Sequence, residues 1–286
     1  VYTRIVMDLE QASALFGKYS KRRGDFRING TATDILLSRV YLYMEEWDRA
    51  IEAANRAIKR AEGLTDYTTV EAGNQFYMTT YELSEVEWLF DMSITNFPFV
   101  PSGDLLSKYT NGDKRETLWF NANGSISKRA QKSGWGPNRT IRISEAYLNR
   151  AEALVLSQNA NIGEALADLN ELRRHRIVGY QDISISDATI LLGEIRVERR
   201  LELCFDGHRW FDLRRYAVSP KYPETKAITH VIFKPGTSLM DKAPYDRSYV
   251  LQPYGEDNAW VLPIPEEELV FNNGVMVDNP ERIERE

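Results

Sequence analysis

The sequence predicts a mainly α protein made of tetratricopeptide-like helix pairs, interrupted by an irregular, partly β insert. Three observations carry this expectation. Apolar residues recur at helical spacing in TATDILLSRVYLY (31–43) and in IRISEAYLNRAEALVL (141–156). Each of these stretches is followed, after a short turn, by a partner helix with small or aliphatic residues on one face. In the first partner (48–61) that face is Ala50, Ala53, Ala54, Ala57 and Ile58. In the second (162–176), Ala165 takes the place of Ala50, Leu166 of Ile51 and Leu169 of Ala54. Small residues at this spacing let two antiparallel helices approach closely, and a helix pair of about 34 residues is a tetratricopeptide-like unit. Between the pairs, Pro98, Pro101, Gly103, Gly112, Gly124, Gly134, Gly136 and Pro137 break the helical rhythm.

The chain opens on a helical stretch, with Ile5, Leu9, Ala12 and Phe16 in period. A polar, basic loop follows over 17–30. The first helix pair occupies 31–62, with Glu45, Glu46 and Trp47 at its turn. The insert runs over 63–139. Within it, Glu87 to Phe90 and Thr117 to Phe120 have the composition of short strands, and Asp104 is placed to cap a helix start. The second pair occupies 141–176, a charged helical region 187–216, and an irregular region 217–286. All are expected to form one domain.

The charged region, EIRVERRLELCFDGHRWFDLRRY (194–216), is the densest part of the chain. Ile195, Leu201, Cys204 and Phe205 fall near one helical stripe, while Glu194, Glu198 and Glu202 recur every fourth residue. Arg196, Arg199 and Arg200 stand within one turn of those acids, so same-helix charge pairs are expected. Asp206-Gly207 reads as a helix stop. His208 to Leu213 then restarts a helical turn, with Phe205, Trp210 and Phe211 expected to anchor the core.

Composition narrows the function. At 286 residues, 43% hydrophobic and 27% charged, the chain has the make-up of a globular protein. A net charge of −6 argues against a nucleic-acid partner. The one cysteine, Cys204, excludes an internal disulfide and a four-cysteine zinc site, and its place on the apolar stripe reads as core. His175, His208 and His230 have no metal-ligand spacing, so neither metal nor cofactor is expected. No run of 18 apolar residues provides a membrane-spanning helix.

Catalysis finds no footing either. Glycosidases need two carboxylates across a cleft, whereas Glu194, Glu198 and Glu202 alternate with arginines. Ser144 and Asp212 form no triad with the scattered histidines. No phosphate-binding glycine motif is present. Arg199, Arg209, Arg214 and Arg215 read as carboxylate partners rather than an anion site.

The run Glu198 to Arg215, ERRLELCFDGHRWFDLRR, resembles the most specific signature of the RagB/SusD family, the surface glycan-binding lipoproteins of Bacteroidetes. Three further segments agree with it in order. They are PSGDLLSKYTNGDKRETLWF (101–120), the helices around IRISEAYLNRAEAL and ALADLNELRRHR, and the closing WVLPIPEEELVFNNGVMVDNP (260–280). The resemblance implies a SusD-like fold and non-catalytic capture of an oligosaccharide or polysaccharide. It also implies a lipid-anchored place at the outer membrane, beside a SusC-like TonB-dependent transporter. Members of the family usually begin with a lipoprotein signal and a long segment before the point where Val1 stands. The chain therefore reads as truncated, with the anchor outside it.

Glycan capture needs rigid exposed rings on loops, close to amides and carboxylates. The insert has that composition. Trp135, between Gly134 and Gly136-Pro137, is the foremost candidate, with Tyr77, Tyr81, Trp88 and Asn138 beside it. The competing expectation is a helical-repeat module whose concave face binds a peptide.

Overall fold

The structure is a computed structural model that describes residues 1–19, 28–61, 63–70, 101–120, 141–233, 244–272 and 274–281. The chain divides into two compact units, Val1–His208 and Arg209–Glu286.

The first unit is helical. It contains α1 (Tyr2–Lys18), α2 (Gly30–Tyr43), α3 (Trp47–Arg60), α4 (Gly103–Leu106), α5 (Lys114–Trp119), α6 (Ile143–Leu156), α7 (Ile162–Arg174) and α8 (Ala188–Glu202). Side-chain caps set several starts. Asn29 accepts from the Ala32 amide at 2.9 Å and Asn161 from Glu164 at 3.1 Å. Asp187 accepts from Ile190 at 2.9 Å. Each satisfies one of the orphan amides of a first turn.

Both expected helix pairs are present as α2/α3 and α6/α7. The correspondence drawn between them holds in burial. Ala50 and Ala165 are buried, Ile51 and Leu166 half-buried, Ala54 and Leu169 buried. Helix α3 packs against both α2 and α6. Ala54 and Ala57 share a core with Ala32 and Ile35 of α2 and with Ile141, Ile143 and Ala146. Four alanines on α3 are fully buried, so no bulk separates it from its neighbours. Helix α8 packs on α6 and α7, completing the layer.

Several expectations change. Thr117 to Phe120 is not a strand. Its first three residues end helix α5, which Asp113 caps through the Arg115 amide at 3.0 Å. That cap, with Glu116 in the first turn, outweighs the β propensity of the aromatics. Asp104 does not cap α4. Ser102 does, accepting from Leu105 at 3.2 Å, and Asp104 instead accepts from Arg200 Nη1 at 2.6 Å. Helix α8 stops at Glu202, before Asp206-Gly207. Cys204 is buried as expected. Phe205, beyond the helix end, takes φ +62 and is 39% exposed.

The second unit holds α9 (Arg209–Ala217), the antiparallel hairpin β1 (Ile228–Phe233) and β2 (Pro244–Leu251), and α10 (Glu266–Phe271). The hairpin pairs Ile228 with Leu251 and His230 with Tyr249, with an irregularity between Val231 and Phe233. This sheet lies in the region read as irregular. Helix α9 buries Asp212, Leu213 and Tyr216. Phe211 falls off that stripe and is 51% exposed, against the expectation that it anchors the core. Trp210 is half-buried, its ring 4.5 Å from that of Trp260.

Candidate functional site

The candidates Trp135, Tyr77, Tyr81, Trp88 and Asn138 lie outside the described residues, as do Glu87 to Phe90. The chain just before and after the stretches that carry them is described. Tyr67 to Val70 leads into the first stretch and Pro101 leaves it; Phe120 leads into the second and Ile141-Arg142 leaves it. These roots meet in the first unit.

Aromatic packing makes the first connection. Tyr67 and Trp119, both fully buried, stand edge-to-face at 6.0 Å. Tyr109 meets Phe120 at 5.9 Å, and Phe120 meets Phe205 at 6.2 Å. Leu105, Leu118, Leu201 and Cys204 fill the same cluster. The Tyr109 hydroxyl donates to the Leu201 carbonyl at 3.0 Å, which satisfies the polar end of a buried ring.

Charge makes the second connection. Glu202 is buried and receives three guanidinium groups from three separate parts of the chain. Arg142 donates to Oε1 at 2.6 Å, Arg115 to Oε2 at 3.0 Å, and Arg176 to both oxygens at 3.0 Å. Arg115 also forks onto Asp113 at 3.0 and 2.7 Å and reaches Glu198 at 2.6 Å. Arg173 joins Glu198 at 2.7 Å and Glu194 at 2.8 Å. Arg176 lies over the Tyr67 ring at 3.9 Å and donates to the Thr65 carbonyl at 2.8 Å. The root at Thr65 to Tyr67, the root at Arg142 and helix α5 before Phe120 are thus tied to one carboxylate.

Electrostatics follow from that geometry. Burial alone would push the Glu202 carboxyl up, but the guanidinium groups of Arg176, Arg142 and Arg115 hold it well below its usual range. Glu198 is lowered in the same way, burial being overcome by Arg115 and Arg173. Burial works to lower Arg115, and Glu198 and Asp113 more than reverse it. The carboxylates stay ionised, with their oxygens committed to guanidinium donors. Such a group is a clamp: removing one member strands buried charge on the others.

A second polar seam joins α2, α6 and α8. Arg39 forks onto Glu145 with two bonds of 2.6 Å. Asn149 donates to Ser38 at 2.8 Å and accepts from Arg199 at 2.7 Å. Glu145 is held at about 2: burial raises it, and Arg39 and His208 override that. Among the described residues, no group of three or more His, Cys, Asp or Glu could hold a metal ion.

The expectation for Glu194, Glu198 and Glu202 is pairing within their own helix, and the structure brings them arginines from other elements. Their arginines are Arg115, Arg142, Arg173 and Arg176, while Arg199 turns to Asn149 and Arg200 to Asp104. The reason is the direction of the faces. Glu198 and Glu202 are buried, and Arg115, Arg142, Arg173 and Arg176 of other elements reach them there. One signal of this was present in the sequence: Arg142 stands between Ile141 and Ile143, a position with apolar neighbours that favours an inward, partnered guanidinium.

Comparison with known proteins bears on the family and the fold. Residues 66–281 match the family model of the SusD family. A SusD-like protein from Formosa agariphila is 29% identical over 147 residues, which are 49% of this chain and 25% of that protein. Among solved structures, a SusD-like carbohydrate-binding protein from Bacteroides vulgatus superposes with a TM-score of 0.66 at 20% identity, covering 98% of this chain and 66% of that one. Surface glycan-binding protein A from Bacteroides uniformis superposes with a TM-score of 0.62 at 16% identity, covering 97% and 68%. The chain thus spans about two thirds of these solved relatives and matches a quarter of the curated one. With the family model matched over well more than half of its length, and with helix pairs and signature helix in place, the chain belongs to the SusD family.

Proposed function

We propose that this protein captures glycans at the cell surface and passes them, chemically unchanged, to a SusC-like TonB-dependent transporter in the outer membrane, where a lipid anchor holds it. Membership of the SusD family carries the reading. It is supported by the likeness in fold to a carbohydrate-binding and a surface glycan-binding protein. The clamp on Glu202 suits such a role, because binding loops function best when rigid elements fix their ends. Trp135, Tyr77, Tyr81, Trp88 and Asn138 are the proposed contacts, with the rings stacking on sugar faces and the amide bonding hydroxyls. Glu198 and Glu202, as buried ionised carboxylates, have no proton to give a leaving group, so no turnover is expected.

A glycan array probed with the full-length protein tests this, followed by titration of the retained oligosaccharide against tryptophan fluorescence. Trp135→Ala is expected to weaken binding by about tenfold, roughly 1.4 kcal/mol. No reducing ends should be released. An array that retains no glycan, with a peptide pool retained instead, overturns the reading in favour of a peptide-binding helical-repeat module.

A further inference from the structure

Asn-Gly occurs four times in the sequence, at Asn29-Gly30, Asn111-Gly112, Asn123-Gly124 and Asn273-Gly274. The dipeptide is chemically labile, because glycine has no side chain to shield its amide nitrogen from the asparagine before it. The structure describes the first two pairs in full and sets them apart. Asn29 caps α2: its Oδ1 accepts from the Ala32 amide at 2.9 Å, and its carbonyl accepts from the Thr33 amide at 3.0 Å. Gly30 is buried, and an added Cβ there would collide with the Arg60 guanidinium. Asn111 and Gly112 are exposed, on a turn that the Asp113 amide closes onto the Thr110 carbonyl at 3.0 Å. Among the described residues, neither the Asn111 side chain nor the Gly112 amide makes a hydrogen bond. The same two residues are locked in one place and unrestrained in the other.

The second pair also stands where a change in the main chain would be felt. Gly112 holds φ +88, and an added Cβ would lie 3.0 Å from the Val178 carbonyl oxygen, so the turn approaches its neighbour as only glycine allows. The Gly112 carbonyl accepts from the Val178 amide at 3.0 Å, and the Lys114 amide donates to the Arg176 carbonyl at 2.9 Å. Between those bonds lies Asp113, buried, which forks onto Arg115 of the clamp. We propose that Asn111-Gly112 is a self-modification site, which converts to isoaspartate in the folded protein and thereby slackens the clamp on Glu202. The Gly112 nitrogen attacks the Asn111 side-chain carbonyl carbon. The new C–N bond closes a succinimide ring, the bond to the side-chain nitrogen breaks, and that nitrogen leaves as ammonia with the Gly112 amide proton. Water then opens the ring. Opening at the side-chain carbonyl gives aspartate; opening at the main-chain carbonyl gives isoaspartate, with a main chain one carbon longer. That extra carbon puts Asp113 and Lys114 out of register with 176–178 and draws Asp113 off Arg115. The proposal is independent of glycan binding, so either can fail alone.

The test is to age the full-length protein in mildly alkaline buffer at body temperature, folded and in urea, and to follow isoaspartyl peptides by mass spectrometry. In the folded protein, conversion at Asn111 should outpace that at Asn29 by several-fold. In urea, where neither cap nor burial survives, the two should convert at similar rates. No conversion at Asn111, equal conversion at Asn29 in the folded protein, or a gap of the same size in urea would each overturn the site. The aged protein should unfold at a lower urea midpoint, in proportion to its isoaspartate content. Asn111→Gln, which closes such a ring far more slowly, should keep its midpoint on ageing. Fresh Asn111→Asp adds the charge without the extra carbon and, at an exposed position, should match fresh wild type. In Asp113→Asn, where the clamp has already lost that charge, ageing should lower the midpoint by less. An unchanged midpoint in aged wild type, an equal drop in Asn111→Gln or in fresh Asn111→Asp, or an undiminished drop in Asp113→Asn would each overturn the effect on the clamp.

Discussion

Arg142 grips Glu202 twice, donating from Nη1 to the carboxylate Oε1 and from Nη2 to the backbone carbonyl, both at 2.6 Å. Its Nη2 also donates to Asp206 Oδ2 at 2.8 Å. One guanidinium therefore fixes the end of α8 and the turn beyond it. Within that turn Phe205 holds φ +62, a conformation that bulky residues avoid and keep only where their surroundings over-determine it. Arg142 and Phe120, on which the Phe205 ring packs, supply that constraint on either side.

Glu202→Gln should be strongly destabilising. The amide keeps the shape but removes the charge opposite Arg115, Arg142 and Arg176, leaving buried cations short of a partner. Loss of one member of a buried ion cluster removes about 3–5 kcal/mol. Urea unfolding should show this as a lower midpoint with unchanged slope. Glu194→Gln is the contrast: its side chain is 41% exposed and, among the described residues, pairs with Arg173, so the change should be under about 1 kcal/mol. Equal effects for the two variants would show that the Glu202 cluster is not the clamp.

Acid should unfold the protein through these same carboxylates. Glu145 titrates at about 2 in the folded chain against an ordinary 4.5; burial raises it, and Arg39 and His208 outweigh that. A lowered folded value means that its stabilisation is complete above about pH 4.5 and drains away as pH falls toward 2. Glu198 and Glu202 are shifted in the same direction and add to the effect. Urea midpoints measured from pH 7 down to pH 2.5 should fall most steeply below pH 4.5. Glu145→Gln should be less stable at pH 7 yet flatter across that window. A variant with the wild-type slope would remove Glu145 from the account.

The helix pairs were legible because their signal is local. Ala50, Ala53, Ala54 and Ala57 declare a close-packed face within a single helix, and Ala165 and Leu169 repeat it. The clamp was not legible in detail because its partners are remote. Glu202 meets Arg176 across 26 positions, Arg142 across 60 and Arg115 across 87. Arg196, Arg199 and Arg200 stand closer along the chain, but a one-dimensional reading cannot tell which face of α8 turns inward. Extending the helical stripe past Glu202, where the helix has already ended, puts Phe205 in the core, and ring size alone puts Phe211 there, whereas α9 buries Asp212, Leu213 and Tyr216 instead. The residues proposed to touch glycan came from composition alone, and they lie outside the described residues.

Two aromatic deletions should separate core from surface. Trp119 is fully buried against Tyr67, so Trp119→Ala should remove about 3–5 kcal/mol. Phe211 is half exposed, and Phe211→Ala should change stability by under about 1 kcal/mol. Thermal unfolding of the two variants side by side is sufficient. A large loss at Phe211 would restore the sequence-based expectation that this ring is an anchor.

Arg142→Lys joins the clamp to function. Lysine keeps the charge, but as a point-like ammonium it cannot fork onto the Glu202 carboxylate, the Glu202 carbonyl and Asp206 together. Losing charged hydrogen bonds of this kind should lower stability by roughly 1.5–3 kcal/mol. Arg142 also stands at the end of the root that follows the stretch carrying Trp135 and Asn138. If the clamp positions that stretch, Arg142→Lys should weaken the retained oligosaccharide by several-fold at a temperature where the variant is still folded. Arg150→Lys is the control. It disturbs the Asp168 fork between α6 and α7, two turns beyond the Arg142 root, and should lower stability while leaving affinity unchanged. Equal losses of affinity in the two variants would mean that both act through general loosening, and unchanged binding in Arg142→Lys would mean that the root does not position the ligand.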